Sequence, residues 1–242
     1  MPAVFVHGVP DTSRVWQPTI DCLKRRDTVA LALPGFGSPL PAGFTATKDG
    51  YVEWLLAQLR AFRGPIDLVG HDWGSMLVVR AVSLAPQLVR SWVGGAAPID
   101  PDYVWHETAR IWQAPEAGEK LMAQINRQTM QAALVAQGQP PAVSADSATA
   151  MDATMKACIL SLYRSAVYVG REWFADLALV TAPGLVIWGS GDAYAAPSFG
   201  ERLAKSTGAE FATIEDCGHW WQAQRPRETA KLLEAFWMAR AS

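Results

Sequence analysis

The chain has 242 residues, half of them apolar, and a formal net charge of -2 at pH 7. This length suits one large domain or a core domain with an insertion. The near-neutral charge provides no basic field for nucleic acid or an anionic membrane. No apolar run reaches the roughly 20 residues of a membrane span, and no secretory leader pattern precedes the first predicted strand. The three cysteines have no metal-ligand spacing, which fits a reducing compartment. We therefore expect a cytoplasmic protein with no nucleic-acid partner, no membrane partner and no metal, and the pattern leaves its oligomeric state open.

Six short, β-rich apolar runs alternate with helical patterns along the chain. The predicted strands cover residues 3–6, 28–33, 66–69, 91–93, 184–188 and 210–214. The predicted helices cover residues 12–24, 48–62, 75–84, 197–206 and 226–239. This alternation predicts an α/β fold in which helices flank both faces of a mostly parallel sheet.

The strand pattern disappears between about residues 97 and 179. Helical patterns cover residues 103–113, 115–131 and 148–169, and a polar joint with Pro and Gly covers residues 137–147. The sequence therefore predicts an all-helical insertion, residues 98–178, within a core domain made of residues 1–97 and 179–242.

The strongest chemical motif is Gly70-His71-Asp72-Trp73-Gly74, at the end of a predicted strand. It has the G-x-nucleophile-x-G form of a nucleophile elbow, with Asp where Ser is usual. The glycines permit a tight turn, which presents the central side chain at the carboxyl edge of the sheet, where open α/β sheets bind ligands. Asp72 is therefore the candidate nucleophile, although the motif taken alone also fits an ordinary strand-to-helix turn.

An acid and a base follow later strands in the same way. Asp192 comes just after the predicted strand 184–188, and His219 follows the strand 210–214. An isolated Asp after a strand is usually a turn former, and an isolated loop His is usually satisfied locally. Their order along the chain, nucleophile, acid and base, is what favours a catalytic triad.

A loop after the first strand supplies candidate oxyanion donors. The segment His7-Gly8-Val9-Pro10 can aim the backbone N–H of Val9 at a developing oxyanion, together with the backbone N–H of Trp73. A plain turn is the alternative interpretation of this motif.

These motifs together resemble the aspartate-nucleophile branch of the α/β-hydrolase superfamily, which holds epoxide hydrolases, haloalkane dehalogenases and fluoroacetate dehalogenases. The resemblance covers nearly the whole chain, with HGxP at residues 7–10, GxDxG at residues 70–74, the acid at Asp192 and the base at His219. It implies an α/β-hydrolase fold, a helical cap over the active site and no cofactor. The sequence begins at what would be the third strand of the usual sheet, so a trimmed core is expected, and Ala32 stands where the family often has an acid.

An aspartate nucleophile suits substrates attacked at saturated carbon, because the carboxylate can open an epoxide or displace halide to form an alkyl ester. Water activated by His219 then hydrolyses the ester of Asp72, while Asp192 holds the imidazole. The segment containing Tyr163 resembles the Tyr-Arg segment that carries a ring-opening tyrosine in epoxide hydrolases, although a helical tyrosine is more often core or rim. Tyr103 is a candidate partner for it.

The alternatives depend on which groups could hold an anion. Many haloalkane dehalogenases place a halide-binding Asn at the position of Val9, which has no side-chain donor, so Trp105 or Trp112 would have to replace it. Fluoroacetate dehalogenases resemble this chain in a His-Trp pair, reversed here as Trp105-His106. They carry arginines just after the nucleophile, however, whereas tryptophan and methionine take those places here, which disfavours a small anionic substrate.

The sequence thus predicts an epoxide hydrolase for a small, uncharged, largely apolar substrate. A haloalkane dehalogenase and a catalytically silent ligand-binding protein remain as alternatives, because fold alone does not fix function. The predicted catalytic residues are Asp72, Asp192, His219 and Tyr163. The predicted oxyanion donors are Val9 and Trp73, and the predicted substrate-binding residues are Tyr103, Trp105 and His106.

Overall fold

The structure, a computed structural model, describes residues 1–240. Within them a single parallel sheet has the strand order β2-β1-β3-β4-β5-β6. The strands are β1 Ala3–Val6, β2 Thr28–Leu31, β3 Ile66–Gly70, β4 Val89–Gly94, β5 Gly184–Gly189 and β6 Glu210–Ile214. Strands β1, β3 and β5 are buried along their whole length, as expected when helices cover both faces of a sheet. The predicted α/β fold and all six predicted strands are confirmed.

Helices connect the strands and also fill the long segment between β4 and β5. In chain order they are α1 Gln17–Cys22, α2 Lys48–Arg60, α3 Trp73–Leu84, α4 Glu107–Gln113, α5 Ala117–Gln124, α6 Arg127–Ala136, α7 Pro141–Ala150, α8 Ala153–Ser165, α9 Val169–Phe174, α10 Pro197–Thr207, α11 Trp221–Gln224 and α12 Pro226–Met238. In the described part of the chain, no helix combines the length and apolar character that a membrane crossing needs.

The predicted helix over residues 12–24 is wrong in its details. A 3-10 helix, Ser13–Trp16, comes first, and α1 then covers only Gln17–Cys22. Thr12 starts the 3-10 turn by accepting a hydrogen bond from the backbone N–H of Arg14 at 3.2 Å. The hydrogen bond of this cap therefore favours a 3-10 helix at a place where the spacing of apolar residues predicted an α-helix.

Between β4 and β5 the chain is helical, as predicted, but the predicted helix bounds there are wrong. The helix expected at residue 103 begins at Glu107, because His106 is its N-cap. The helix predicted over residues 115–131 is divided into α5 and α6, because Asn126 forms a capping box with Thr129. Each of these caps fixes the start of a helix, since a side-chain cap satisfies the free N–H groups of the first helical turn.

The second half of the insertion departs further from the prediction. The segment 137–147, predicted to be a joint, contains most of α7, which begins at Pro141. The helix predicted over residues 148–169 begins only at Ala153, where Asp152 caps it, and it ends at Ser165. Proline is compatible with the first turn of a helix, so a Pro-containing segment did not exclude one.

Candidate active site

The turn after β3 holds Asp72 in a backbone conformation that residues other than glycine rarely adopt. Its φ is 53° and its ψ is -127°, and backbone strain of this kind clusters at functional sites. The Asp72 N–H donates to the carbonyl oxygen of Gly95 at 3.0 Å, and its carbonyl accepts from the N–H of Ser75 at 2.8 Å. Gly74 permits the turn, because a Cβ there would lie 2.2 Å from the carbonyl oxygen of Val6. The elbow therefore presses α3 against β1 and presents the Asp72 carboxylate above the sheet.

One oxygen of this carboxylate occupies the predicted oxyanion hole. The backbone N–H of Val9 donates to Oδ1 of Asp72 at 2.8 Å. The backbone N–H of Trp73 also lowers the pKa of this carboxyl, which is the effect expected of a hydrogen-bond donor to the charged form. In the free protein, the donors predicted to bind a substrate oxyanion thus hold an oxygen of the candidate nucleophile itself.

The candidate acid, Asp192, and the candidate base, His219, complete the site after β5 and β6. Nδ1 of His219 donates to Oδ2 of Asp192 at 3.0 Å. Oδ1 of Asp192 accepts the backbone N–H of Tyr194 at 2.8 Å. On the other side of the imidazole ring, Nε2 lies 3.7 Å from Oδ2 of Asp72, too far for a direct hydrogen bond. The base therefore faces the carboxylate oxygen that is outside the oxyanion hole.

The charges of this cluster depend on one another. Burial raises the pKa of Asp72 to about 6, although the charge of His219 and the N–H groups of Val9 and Trp73 lower it. Burial lowers the pKa of His219, but the charge and hydrogen bond of Asp192, followed by the charge of Asp72, outweigh it and raise the value to about 9. At pH 7 the free protein therefore holds a carboxylate and an imidazolium side by side.

A cavity of about 500 Å³ lies between the sheet edge and the helical insertion. Its lining is mainly apolar and aromatic, with contributions from Trp73, Tyr103, Trp105, Trp112, Tyr163, Tyr194 and Trp220. Asp72 and His219 lie in its wall. Among the described residues, no lysine or arginine lines it. Such a cavity suits an uncharged apolar molecule, because the charge of His219 in its wall is already balanced by Asp72 and Asp192, and a bound anion would gain no further cation from the described lining.

Tyr163 on α8 lies in the cavity wall close to the elbow. Its ring centroid is 5.4 Å from that of Trp73 and 4.9 Å from that of Trp112. Burial, and next the charge of Asp72, raise the pKa of Tyr163 well above its ordinary value. The phenol therefore remains protonated and can act as a donor inside the cavity.

The other predicted cap residues also line the cavity, but their polar atoms are partly engaged. The Tyr103 hydroxyl donates to the carbonyl oxygen of Tyr194 at 3.2 Å, so its proton is engaged in the free protein, and its role as a partner of Tyr163 stays a prediction. The indole of Trp105 stacks on Trp73 with centroids 6.0 Å apart. Its N–H donates to the carbonyl oxygen of Val167 at 3.3 Å. The expectation that Trp105 could supply a free N–H to a halide is therefore wrong for this geometry.

The profile of the alpha/beta hydrolase family matches residues 3–232. The chain belongs to the α/β-hydrolase family. A curated relative, (E)-2-((N-methylformamido)methylene)succinate hydrolase of Acinetobacter baylyi, is 29% identical over 91 residues. That match covers 37% of this chain and 35% of the relative.

Solved structures resemble the α/β hydrolase over its full length. A thermophilic esterase from Thermogutta terrifontis has a TM-score of 0.80 and 17% identity, and the match covers 100% of this chain and 91% of the esterase. A loop variant of a haloalkane dehalogenase from Bradyrhizobium elkanii has a TM-score of 0.74 and 20% identity, with coverage of 100% and 91%. At this identity the likeness shows the fold, and the chemistry depends on the residues of the site.

Sequence reasoning missed three residues that support His219, the candidate base of this α/β hydrolase. Nε2 of His71 donates to the carbonyl oxygen of His219 at 2.9 Å. The ring of Tyr194 lies 4.7 Å from the His219 ring. The carboxylate of Asp11 is buried and accepts the indole N–H of Trp220 at 3.0 Å. The only signal for Asp11 and Tyr194 was proximity, since each lies within two residues of a motif.

Asp11 also connects the loop of His219, through Trp220, to the helical insertion. Its Oδ1 accepts from Nε2 of Gln139 at 2.6 Å and from Oγ of Ser147 at 3.1 Å. Burial raises the pKa of Asp11, although these donors and Trp220 lower it. One buried carboxyl thus links the loop after β1, the segment around α7 and the residue next to His219.

Proposed function

We propose that this α/β hydrolase converts an uncharged, largely apolar epoxide to a vicinal diol through an ester on Asp72. The observation that carries the proposal is the orientation of the nucleophile. Oδ1 of Asp72 is held by the N–H of Val9 at 2.8 Å, whereas Oδ2 faces His219 and the cavity. A carboxylate in this position can attack saturated carbon. An ester or amide carbonyl could not use the same hole, because the enzyme's own oxygen fills it.

In the first step, Oδ2 of Asp72 forms a bond to an epoxide carbon and the carbon–oxygen bond of the ring breaks. The electron pair goes to the ring oxygen, which receives the hydroxyl proton of Tyr163. The raised pKa of Tyr163 keeps that proton in place until the more basic alkoxide develops. The product of this step is an alkyl ester of Asp72, and the Tyr163 oxygen recovers its proton from water.

In the second step, neutral His219 removes a proton from water, and the water oxygen attacks the carboxyl carbon of Asp72. The negative charge develops on Oδ1, where the Val9 N–H already donates. Collapse breaks the bond between that carbon and Oδ2, so the diol leaves with Oδ2 and takes the proton from His219. The carboxylic acid left on Asp72 then loses its proton, which neutralises the hydroxide that formed when water reprotonated Tyr163, and the carboxylate of the free protein is restored. Asp192 holds the imidazole and stabilises its charged form throughout.

Haloalkane dehalogenation is the second candidate, because it would use the same ester. The observation in its favour is Trp112, which lines the cavity and whose buried indole N–H has no partner among the described residues. Against it, Val9 offers no side-chain donor and the indole N–H of Trp105 is bound to Val167. A silent ligand-binding protein is disfavoured, because such a role requires neither the strained turn at Asp72 nor its facing base.

The division of the chain into a core, residues 1–97 and 179–242, and a cap, residues 98–178, is part of this proposal. The helices of the insertion would shield the ester from bulk water and determine which substrates enter. A small uncharged substrate is the only partner that the proposal requires. A cytoplasmic location and the lack of nucleic-acid binding remain predictions.

The direct test is a screen of the purified protein against uncharged aryl and alkyl epoxides and against bromoalkanes, with diol and bromide measured separately. The Asp72→Ala variant is the negative control. Asp21→Ala, at an exposed position of α1, is the matched control. Diol formation that disappears only in Asp72→Ala supports the proposal. Bromide release without diol would support haloalkane dehalogenation, the second candidate function. Turnover by Asp72→Ala would exclude the ester mechanism.

A further inference from the structure

Two side-chain N–H groups flank Tyr194 on the cavity wall, and the first belongs to His106. Nδ1 of His106 accepts the backbone N–H of Ala109 at 3.3 Å, at the start of α4. This bond requires the ring proton to be on Nε2, because the accepting nitrogen of an imidazole has no proton. In the described part of the chain, no group accepts from Nε2. His106 lines the cavity, so it presents a donor there.

The second donor belongs to Gln137, at the end of α6. Its Oε1 accepts the hydroxyl proton of Tyr194, which leaves the amide nitrogen as its free group. Gln137 also lines the cavity. The acceptor atoms of both side chains are therefore already used, and what they offer to a ligand is N–H.

The position of these donors relates them to the reaction. The Tyr194 ring lies 4.9 Å from the His106 ring and 4.7 Å from the His219 ring. His106 and Gln137 are therefore separated from the base by a single aromatic side chain. A substrate with its epoxide at Asp72 would reach them with a group a few bonds along its chain.

The charges around the pair determine which acceptor fits. Burial, together with the charge of His219 and against the opposing charge of Asp192, lowers the pKa of His106 to about 4. His106 is therefore neutral, and the acids nearby in the lining are Asp72 and Glu107. A carboxylate on the substrate would be repelled by these acids, and no lysine or arginine of the described lining would compensate it. An ether, ketone or hydroxyl oxygen has no such cost.

We infer that His106 and Gln137 form a donor subsite that selects epoxides with a neutral acceptor oxygen on an otherwise apolar chain. The inference rests on the proposed function and specifies its substrate class. It assigns the two residues to substrate binding and gives them no role in the bond-making steps.

The test uses a series of terminal epoxyalkanes in which one CH2 group after the other is replaced by an ether oxygen. For each ether, kcat/KM for diol formation is divided by that of the parent hydrocarbon epoxide. One neutral hydrogen bond corresponds to a preference of about threefold to tenfold, so the ratio should have a maximum of that size at one oxygen position. Because the ratio is measured within each variant, a general change in activity cancels.

His106→Asn keeps a side-chain oxygen for the N–H of Ala109, since Asn is a good N-cap. It removes the donor at the Nε2 position, because the amide nitrogen of the shorter Asn side chain lies closer to the backbone. Gln137→Met, at an exposed position, removes the second donor without a buried change. Thr108→Val, elsewhere in the cavity lining, is the matched control. The maximum should flatten in the first two variants and persist in the third.

A flat ratio in the unmodified protein, or a maximum that persists in both His106→Asn and Gln137→Met, would overturn the subsite while diol formation still supports the proposed function. If the unmodified protein makes no diol from any member of the series, the proposed function fails and the subsite fails with it. A maximum that is lost in the two variants and kept in Thr108→Val supports both.

Discussion

Neutralising Asp72 should lower the pKa of His219. Oδ2 of Asp72 lies 3.7 Å from Nε2 of His219. Two unit charges at that distance attract by about 4 kcal/mol at an effective dielectric constant of about 20. Since about 1.4 kcal/mol corresponds to a change of one in pKa, the largest expected drop is about 3. From its value of about 9 in the free protein, the pKa of His219 should fall towards the ordinary range of imidazole in Asp72→Asn.

The assay is an NMR titration of the histidine ring carbons between about pH 5 and pH 10. The chain has four histidines. Burial lowers the pKa values of His7 and His106 to about 4, and it lowers the pKa of His71 well below its ordinary value. A titration above pH 6 therefore belongs to His219. Asp21→Asn controls for a change of net charge. An unchanged His219 pKa in Asp72→Asn would refute the coupling of the two groups.

The same coupling has a consequence for stability. A histidine whose pKa is raised on folding stabilises the folded state below its unfolded value, 6.5, and this contribution is lost as the pH rises through about 9. The effect should shrink in Asp72→Asn. Ester formation also removes the charge of Asp72, so alkylation itself would convert His219 into the base that the second step needs.

Three further variants test the site and its supports. Tyr163→Phe keeps the ring and removes the donor, so kcat for diol formation should fall on the order of 10²-fold in steady-state assays. Gly74→Ala places a Cβ 2.2 Å from the carbonyl oxygen of Val6, and chemical denaturation should show a loss of about 1–3 kcal/mol in the free energy of unfolding. In Asp11→Asn, an NH2 group replaces one carboxylate oxygen. This donor would face groups that now donate to the carboxylate, including the indole N–H of Trp220. The cost should be about 1–3 kcal/mol in the same experiment, with a loss of kcat because the loop that holds the base loosens.

Each variant has an outcome that contradicts its premise. Full activity in Tyr163→Phe, with the exposed Tyr168→Phe as control, would remove the phenol from ring opening. A wild-type denaturation midpoint in Gly74→Ala would contradict the close approach of α3 to β1. Unchanged stability and activity in Asp11→Asn would mean that the buried network does not support the base.

The sequence was most informative where a residue's role follows from its local motif. Asp72, Asp192 and His219 each lie in the loop or turn that follows the carboxyl end of a strand, and the carboxyl ends of parallel strands share one edge of the sheet. Once the strands were predicted, the meeting of these three side chains followed without knowledge of the packing. The structure brings them within hydrogen-bonding or near hydrogen-bonding distance.

Contacts between distant segments could not be predicted in this way. Asp11 binds Gln139 and Trp220, which lie 128 and 209 residues further along the chain. The acceptor for the Trp105 indole is the backbone carbonyl of Val167, and a carbonyl carries no sequence signal. The engaged Tyr103 hydroxyl was missed for the same reason.

The helices of the insertion were the least predictable elements. Helix α7 lies in a segment with little apolar periodicity that begins with two prolines. The breaks before α6 and α8 depend on single capping residues, Asn126 and Asp152. In both cases a local capping hydrogen bond of about 1 kcal/mol determined where the helix begins. The spacing of apolar residues carries no information about such a bond.

The measurement that tests the central claim most directly is the intact mass of His219→Gln after exposure to a substrate epoxide. Without the base, the ester should form and persist, so the protein mass should rise by the mass of one epoxide, on a peptide that contains Asp72. The double variant Asp72→Ala/His219→Gln should show no increase. Diol production by His219→Gln with no covalent adduct, or an adduct on a residue other than Asp72, would contradict the proposed mechanism.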